Sequence, residues 1–332
     1  MLGRSYRFNL RSSSKQRSEL TMILLLQLVM TYCFAISFPA DQVRQIRVSG
    51  FDANLVVTAK EGQGLVQVSD GVSTKLTGDG ALIIDLPKPN QISVWRQWIF
   101  GQGQKVSFEI ISPSKKIDYN VYQGTLTIKN WQQDLNIKTQ KGKLNLSNGR
   151  GQLQIYNHKG DTTVDNQNGP VILDAYSGSV QLKNINGDVQ MRLFTGTVLL
   201  EKLAGHVEAD VFDGQVKSLQ GTGTFEFDIN RGQINVQSQS GRVEGTNVEG
   251  SLNIQMMNES DLYVTSKSGK VVVTTPSGSG MAYLLATQEG DIWVSETKVK
   301  GDGEKSLRGR LAGQQSKGNI VVRGQDVNIN LK

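Results

Sequence analysis

Glycine stands at 142, 151, 160, 169, 178, 187, 196, 205, 214, 223, 232, 241 and 250, thirteen consecutive positions at a spacing of nine. Two residues after each glycine the side chain is apolar, as in Leu144, Leu153, Val171 and Val180, with Thr162 the one polar member. Four residues after it the column is again mostly apolar, and the residues between are mainly Asn, Gln, Asp, Glu, Lys and Thr. This period-two alternation predicts one short half-buried strand per repeat. Glycine suits the corner between strands because it tolerates positive φ. Strands this short cannot bury an apolar face alone, so they must stack on copies of themselves as a solenoid.

The sixth place after glycine alternates. Ala175, Leu193, Val211 and Ile229 are apolar, whereas the interleaved Asn184, Lys202, Gln220 and Ser238 are polar. At the seventh place Tyr176, Phe194 and Phe212 recur every eighteen residues, where a three-sided coil of 27 residues would mix Tyr176 with Leu203 and Asn230. The expected coil therefore has eighteen residues and two short strands, giving two facing parallel sheets, and the three aromatics are expected to stack inside it. Gly124 is in phase, and after Gly250 the beat slips by one residue to Gly269 and Gly278. The regular array is thus predicted over residues 124–278, roughly 40 Å long at about 4.8 Å per rung.

The ends lack the nine-residue beat. Residues 43–123 are expected to start the same sheets and cap them, with strands at 43–48, 54–59, 65–68, 81–86 and 106–111. Residues 279–332 should close the other end, with strands at 281–286, 291–295, 319–322 and 327–331 and a polar loop over 298–317. Irregular sequence is expected there, because a terminal coil must cover an exposed core and an unpaired strand edge.

Ahead of this body lie Arg4, Arg7, Arg11, Lys15 and Arg17, with Glu19 the only acid, and then an apolar run from Leu20 to Ile36. The run is short of the roughly 20 apolar residues of a comfortable membrane span, and small residues at Ala35 and Ser37 offer a cut after Ser37. Residues 1–37 are read as a signal peptide, the alternative being an uncleaved N-terminal anchor. Either sends the body out of the cytoplasm. Removing these residues takes away five bases and one acid, and the net charge falls from +6 to +2. The basic balance belongs to the leader, and nucleic acid is not an expected partner. Cys33, the single cysteine, lies in the leader behind bulky Tyr32, which disfavours lipid attachment. The body has no thiol and must be held by packing.

Enzymatic chemistry is poorly supplied. Calcium-binding nonapeptide rolls need paired glycines and an aspartate at a fixed place. Here Asp161 and Asp188 follow their glycines, but Lys143, Gln152, Ser179, Thr197 and Gln215 hold the equivalent places. His158 and His206 are 48 residues apart, fall in different columns and are read as surface residues. No zinc ligand set or serine triad assembles around them. Glu208, Glu226 and Glu244 are spaced by eighteen and should form a vertical outward row, continued by Gln190 and Ile172, neither of which is an acid or a base. A solvated edge is preferred to a catalytic set. Gly301-Asp302-Gly303-Glu304 is read as a solvated turn. No catalytic residue, cofactor or metal is assigned. The sequons at Asn145 and Asn258 would matter only in a eukaryotic secretory route.

The most unusual local segment is Val94-Trp95-Arg96-Gln97-Trp98-Ile99-Phe100. Trp95, Trp98 and Phe100 are candidate contacts for a ligand or partner if the segment is an exposed aromatic tip; the preferred reading makes them a plug over the open end of the solenoid.

Three further segments carry a resemblance: the glycine-punctuated strand Asn184 to Val189, the Gly50-Phe51-Asp52 step between Val-rich strands, and the closing Lys317-Gly318-Asn319-Ile320. With these the chain resembles, over about 43–332, the bacterial putative-adhesin family, exported β-solenoids of unknown function. The resemblance implies an envelope or surface location and a binding or structural role, and it supplies no functional residues. The chain departs from that family's looser spacing in its strict beat. The expectation is an all-β, non-catalytic, adhesin-like solenoid in the periplasm or on the surface of a bacterium, with an envelope glycan or protein as partner. The alternatives are an element that self-associates end to end and, last, a glycan-active β-helix enzyme.

Overall fold

The computed structural model describes residues 36–39, 41–58, 65–68, 73–86, 108–110, 115–257, 260–299, 303–313 and 318–332. Its elements are all strands: β1 (Ile36–Pro39), β2 (Gln45–Thr58), β3 (Leu65–Val68), β4 (Ser73–Leu76), β5 (Ala81–Asp85), β6 (Phe108–Ile110), β7 (Lys116–Lys129), β8 (Leu135–Arg150), β9 (Leu153–Lys159) and β10 (Thr162–Asn168). They continue with β11 (Val171–Asn186), β12 (Val189–Leu219), β13 (Thr222–Met256), β14 (Asp261–Thr274), β15 (Ala282–Thr287), β16 (Ile292–Val294), β17 (Thr297–Lys298), β18 (Lys305–Arg310) and β19 (Asn319–Leu331).

The eighteen-residue coil is present. Thr162 pairs in parallel register with Leu144 on one side and Val180 on the other, and Val171 pairs with Leu153 and Val189. Each coil therefore has two arms of nine residues, and each arm stacks only on its counterparts. Side chains two and four residues after each glycine point inward, among them Val171, Leu173, Val180 and Leu182, all buried. The core is a continuous apolar strip between the two sheets. The slip after Gly250 is real: Arg242 pairs with Asp261 and Gly250 with Gly269, nineteen residues on.

The glycine column has a reason beyond φ. Gly232 has φ 144°, and a Cβ there would lie 1.8 Å from the carbonyl oxygen of Gly214 one rung below. Backbones at this corner stack too closely for any side chain.

The two corners of a coil differ. At one of them the sixth residue adopts the left-handed conformation: Asn130, Asn148, Asn166, Asn184, Lys202 and Gln220 have φ of 52–60°. Asn tolerates this region better than most residues, and here it adds side-chain bonds between rungs. Asn148 Nδ2 donates to Asn130 Oδ1 at 3.0 Å, and Asn166 Nδ2 to Asn148 Oδ1 at 2.8 Å. In the other arm the sixth residue points inward. Leu193, Val211 and Ile229 are buried there, and the column turns polar toward its ends at Thr139, Asn157, Asn247 and Ser266. The asparagine donors find partners, Asn157 Nδ2 donating to the Gly142 carbonyl and to Thr162 Oγ1 at 3.0 and 3.1 Å and Asn247 Nδ2 to Ser266 Oγ at 3.0 Å, while the buried Oδ1 of each accepts no hydrogen bond among the described residues.

Both ends of the wall are closed in the same way. At the N-terminal end β2 forms a rung on β7, and β5 lies on the outer side of its first arm, paired antiparallel with β4. At the other end β19 forms a rung on β14, while β15 and β16 lie outside it. Antiparallel β18 and β17 then border β15 and β16. The first and last long strands thus sit one rung inside the ends they belong to, and hairpins finish the sheets. The stretch 298–317, expected as a loop, contains β18. Its alternation holds a single apolar residue, Leu307, which packs against the core. Cations at Lys305, Arg308 and Arg310 on such an edge disfavour further strand pairing. Likewise Gly278 lies in a turn after β14 rather than on another rung.

A small antiparallel sheet, β1–β3–β6, accompanies the N-terminal end. The cut expected after Ser37 falls within β1.

A candidate binding face on one sheet

The arms that begin at Gly151, Gly169, Gly187, Gly205 and Gly223 share an outer face whose side chains form vertical columns. Because the sixth residue points inward, the seventh must point out. Tyr176, Phe194 and Phe212 accordingly stand in solvent, 44, 43 and 44% exposed. They are a stack, as the eighteen-residue recurrence requires, but an outward one: the expectation of an internal stack is corrected by the alternation itself. His158 heads the column. Its ring lies 4.8 Å from that of Tyr176, Tyr176 lies 4.8 Å from Phe194, and Phe194 lies 4.7 Å from Phe212, with interplanar angles of 19, 7 and 3°. The spacing is the rung spacing, so the backbone dictates the stack.

Two positions earlier in each arm stands a charged column, Asp174, Arg192, Asp210 and Asp228, preceded by Tyr156. Between it and the rings runs a groove of about 570 Å³, floored by Ala175, Leu193 and Val211. Arg192 binds Asp174 in bidentate fashion through one guanidinium edge, Nε to Oδ1 at 2.7 Å and Nη2 to Oδ2 at 3.1 Å, which neutralises that part of the wall. A second cleft of about 530 Å³ adjoins the first, sharing Asp210 and Asp228 and adding Glu208, Glu226, Glu244, Tyr263 and Arg323.

The glutamate row is where its spacing puts it. Glu208 pairs in register with Glu226, Asp210 with Asp228, and Ile172 with Gln190. Glu244 is held by Arg242, Nε to Oε2 at 2.8 Å. Glu208 accepts from Gln190 Nε2 at 3.2 Å, Asp228 from Thr246 Oγ1 at 2.8 Å, and Glu226 faces His206 Nε2 at 3.7 Å. Burial, then the charges of Glu208 and Asp228, push the Asp210 carboxyl above its ordinary range. The result is a two-by-two grid of carboxylates, Glu208, Asp210, Glu226 and Asp228, opposed mainly by neutral donors.

The opposite outer face is mixed in charge. Lys183 pairs with Glu201 at 3.2 Å, and the rest of that face is largely Asn, Gln, Ser and Thr. Among the described residues no group of three or more His, Cys, Asp and Glu side chains could hold a metal ion. His206 is exposed and His158 half-buried at the surface. Trp95, Trp98 and Phe100 lie outside the described residues, as do Gly301 and Asp302 of the expected turn.

Spacing does not single out the charged column or His158 as contacts, since no rule of composition separates them from any other outward polar column. The ring column is visible in the sequence, and its side follows from the inward sixth place.

A family model described as Toastrack DUF4097 matches residues 52–332. No curated protein matches the chain. Among solved structures, one named "putative cell adhesion protein" from Clostridium sporogenes ATCC 15579 is 12% identical, covering 90% of this chain and all of its own, with a TM-score of 0.17. One named "putative adhesin" from Bacteroides fragilis NCTC 9343 is 11% identical over 90% of this chain and 96% of its own, with a TM-score of 0.26. A third, also named "putative adhesin", from Parabacteroides merdae ATCC 43184, is 9% identical over 89 and 95% with a TM-score of 0.21.

Proposed function

This chain belongs to the Toastrack DUF4097 family, and from that premise we propose that it is a non-catalytic, adhesin-like binding module exported to the bacterial envelope. The observation that carries the reading is the exposed ring column of Tyr176, Phe194 and Phe212, headed by half-buried His158, beside a groove on the same sheet face. Half-exposed aromatics in a continuous row serve contact better than they serve stability, since a β-solenoid core is complete without them. Export rests on the basic and apolar segments of residues 1–37.

End-to-end self-assembly is the weaker reading, because antiparallel hairpins border the rungs at both ends of the wall. Catalysis is weaker still. The carboxylate row runs along an open sheet face rather than through a closed site that would set an acid and a base in distinct environments.

The test is twofold. Cells expressing the full chain are fractionated, and the protein should leave the cytoplasm and be retained there when residues 20–36 are deleted. Cosedimentation with washed envelopes should then be lost when Tyr176, Phe194 and Phe212 are all changed to Ser with the melting profile intact. Unchanged cosedimentation would overturn the binding face. Hydrolysis of an envelope glycan that disappears in Glu226→Gln would overturn the non-catalytic reading.

A further inference from the structure

We infer that the groove beside the ring column receives an extended, basic polypeptide segment of a partner protein, laid along the solenoid axis, with its cations on Asp210 and Asp228. The inference rests on the binding role proposed above and names its partner.

Three observations select this occupant. First, the rungs' backbone N–H and C=O groups are consumed between rungs along the axis, so a ligand crossing the strands cannot add to the sheet and must be read by side chains. Second, both faces of Tyr176 and of Phe194 are already covered by neighbouring rings at 4.7–4.8 Å. A sugar ring binds an aromatic through the aromatic face, and those faces are taken. What remains on these two central rings is a ridge of edges carrying the positive side of the quadrupole, which suits carbonyl oxygens and aliphatic stems. Third, the charge is one-sided and placed. Arg192 neutralises Asp174, so negative charge begins at Asp210 and spreads over Glu208, Glu226 and Asp228, all four on two adjacent rungs. Like charges directly opposite one another across a sheet are destabilising, and an incoming cation relieves them. Burial adds to the gain at Asp210, since a partly desolvated carboxylate attracts a cation more strongly than a fully solvated one.

The two length scales differ. Alternate side chains of an extended peptide are about 6.7 Å apart, while the carboxylate rows repeat at about 4.8 Å. Long flexible lysine and arginine stems span the mismatch, and their methylenes lie along the ring edges of Phe194 and Phe212.

The test uses the full chain and a fluorescein-labelled nonalysine peptide, read by anisotropy at low and at physiological salt. Binding should weaken as salt is raised. It should fall about tenfold or more in Asp210→Asn with Asp228→Asn, and severalfold in Phe194→Ser. Asp165→Asn with Glu201→Gln, on the opposite face, should leave it within about twofold. Nonaglutamate should not bind. Equal loss from the opposite-face pair would mean general attraction and overturn the inference, as would binding indifferent to Asp210 and Asp228, or no binding. A chitosan hexamer that displaced the peptide with the same dependence on Asp210 and Phe194 would overturn the polypeptide in favour of an amine-bearing glycan. If nonalysine fails while envelope cosedimentation still depends on the rings, the binding role stands and this inference alone falls.

Discussion

Gly245 lies one rung beyond Phe227, and the phenyl ring occupies the space that a side chain at 245 would need. A Cβ there would lie 2.6 Å from the ring and 2.3 Å from the Phe227 carbonyl oxygen. Phe227 is fully buried and tilted against Phe225, with ring centroids 5.7 Å apart. The core is therefore fitted rung to rung, large against absent. Trp131 and Gly149 repeat the arrangement earlier in the chain, where a Cβ would lie 2.0 Å from the indole.

Gly245→Ala should cost about 1–3 kcal/mol, the usual range for forcing a methyl into a filled core. Urea midpoints check this. Adding Phe227→Leu to Gly245→Ala should recover part of the loss, because the ring clash goes and the carbonyl clash stays. Full additivity of the two losses would contradict the contact.

Asp210 and Asp291 should respond to pH with opposite sign. The Asp210 carboxyl is raised above its ordinary 3.8 by burial and then by Glu208 and Asp228. The folded chain keeps that proton to higher pH than the unfolded one. Its penalty is absent below about pH 3.8, where both states are protonated, and complete above the folded pKa. Asp291 is lowered by hydrogen bonds from Lys298 and Lys305, so its contribution is present above the ordinary carboxylate range and is lost as pH falls through the folded value. Asp210→Asn should raise the melting temperature at pH 7 and lose that advantage in acid. Asp291→Asn should lower it at pH 7, again with the difference shrinking in acid. Melting curves of both variants from about pH 3 to about pH 7 check the pair.

Lys202 occupies a left-handed corner position, with φ 56°, where Asn130, Asn148, Asn166 and Asn184 hold the earlier rungs. Lys202→Asn should stabilise the chain by about 0.5–1 kcal/mol, because asparagine tolerates this conformation better than lysine does. Asn148→Ala should destabilise it, losing both the backbone preference and the side-chain bonds to Asn130 and Asn166. Thermal denaturation ranks the two, and a stabilising Asn148→Ala would contradict the corner.

Deleting residues 179–196 removes one whole coil, joins Gly178 to Thr197 and should leave a shorter folded solenoid in which Tyr176 stacks on Phe212. Deleting 179–187 removes one arm. Every later inward sixth residue, such as Leu193, would then fall on the left-handed corner of the rung before it. Cooperative melting should survive the first deletion and be lost in the second, and identical behaviour would contradict the two-arm coil.

Much of this is legible in the sequence, because a solenoid writes its geometry as a period. The alternation of Asn184 with Leu193 and of Lys202 with Val211 yields the coil length correctly, yet its cause is hidden. The polar members are not merely outward; they occupy a left-handed corner that the residue names alone do not announce when Lys and Gln stand in for Asn. Weighing aromaticity above parity puts the ring column on the wrong side. Leu193 inward requires Phe194 outward. The ends are least legible. β18 carries one apolar side chain, Leu307, so its hydrophobic pattern is nearly silent, and no local signal tells a chain that β19 will lodge beside β14 rather than beside β16 alone.

That lodging bears on biosynthesis. β19 follows all of its partners in the chain and completes a berth that they have left open, with β14 waiting on one flank and β15 and β16 on the other. A nascent chain severed before Asn319 would retain every hairpin of its cap and have nothing to set it upon.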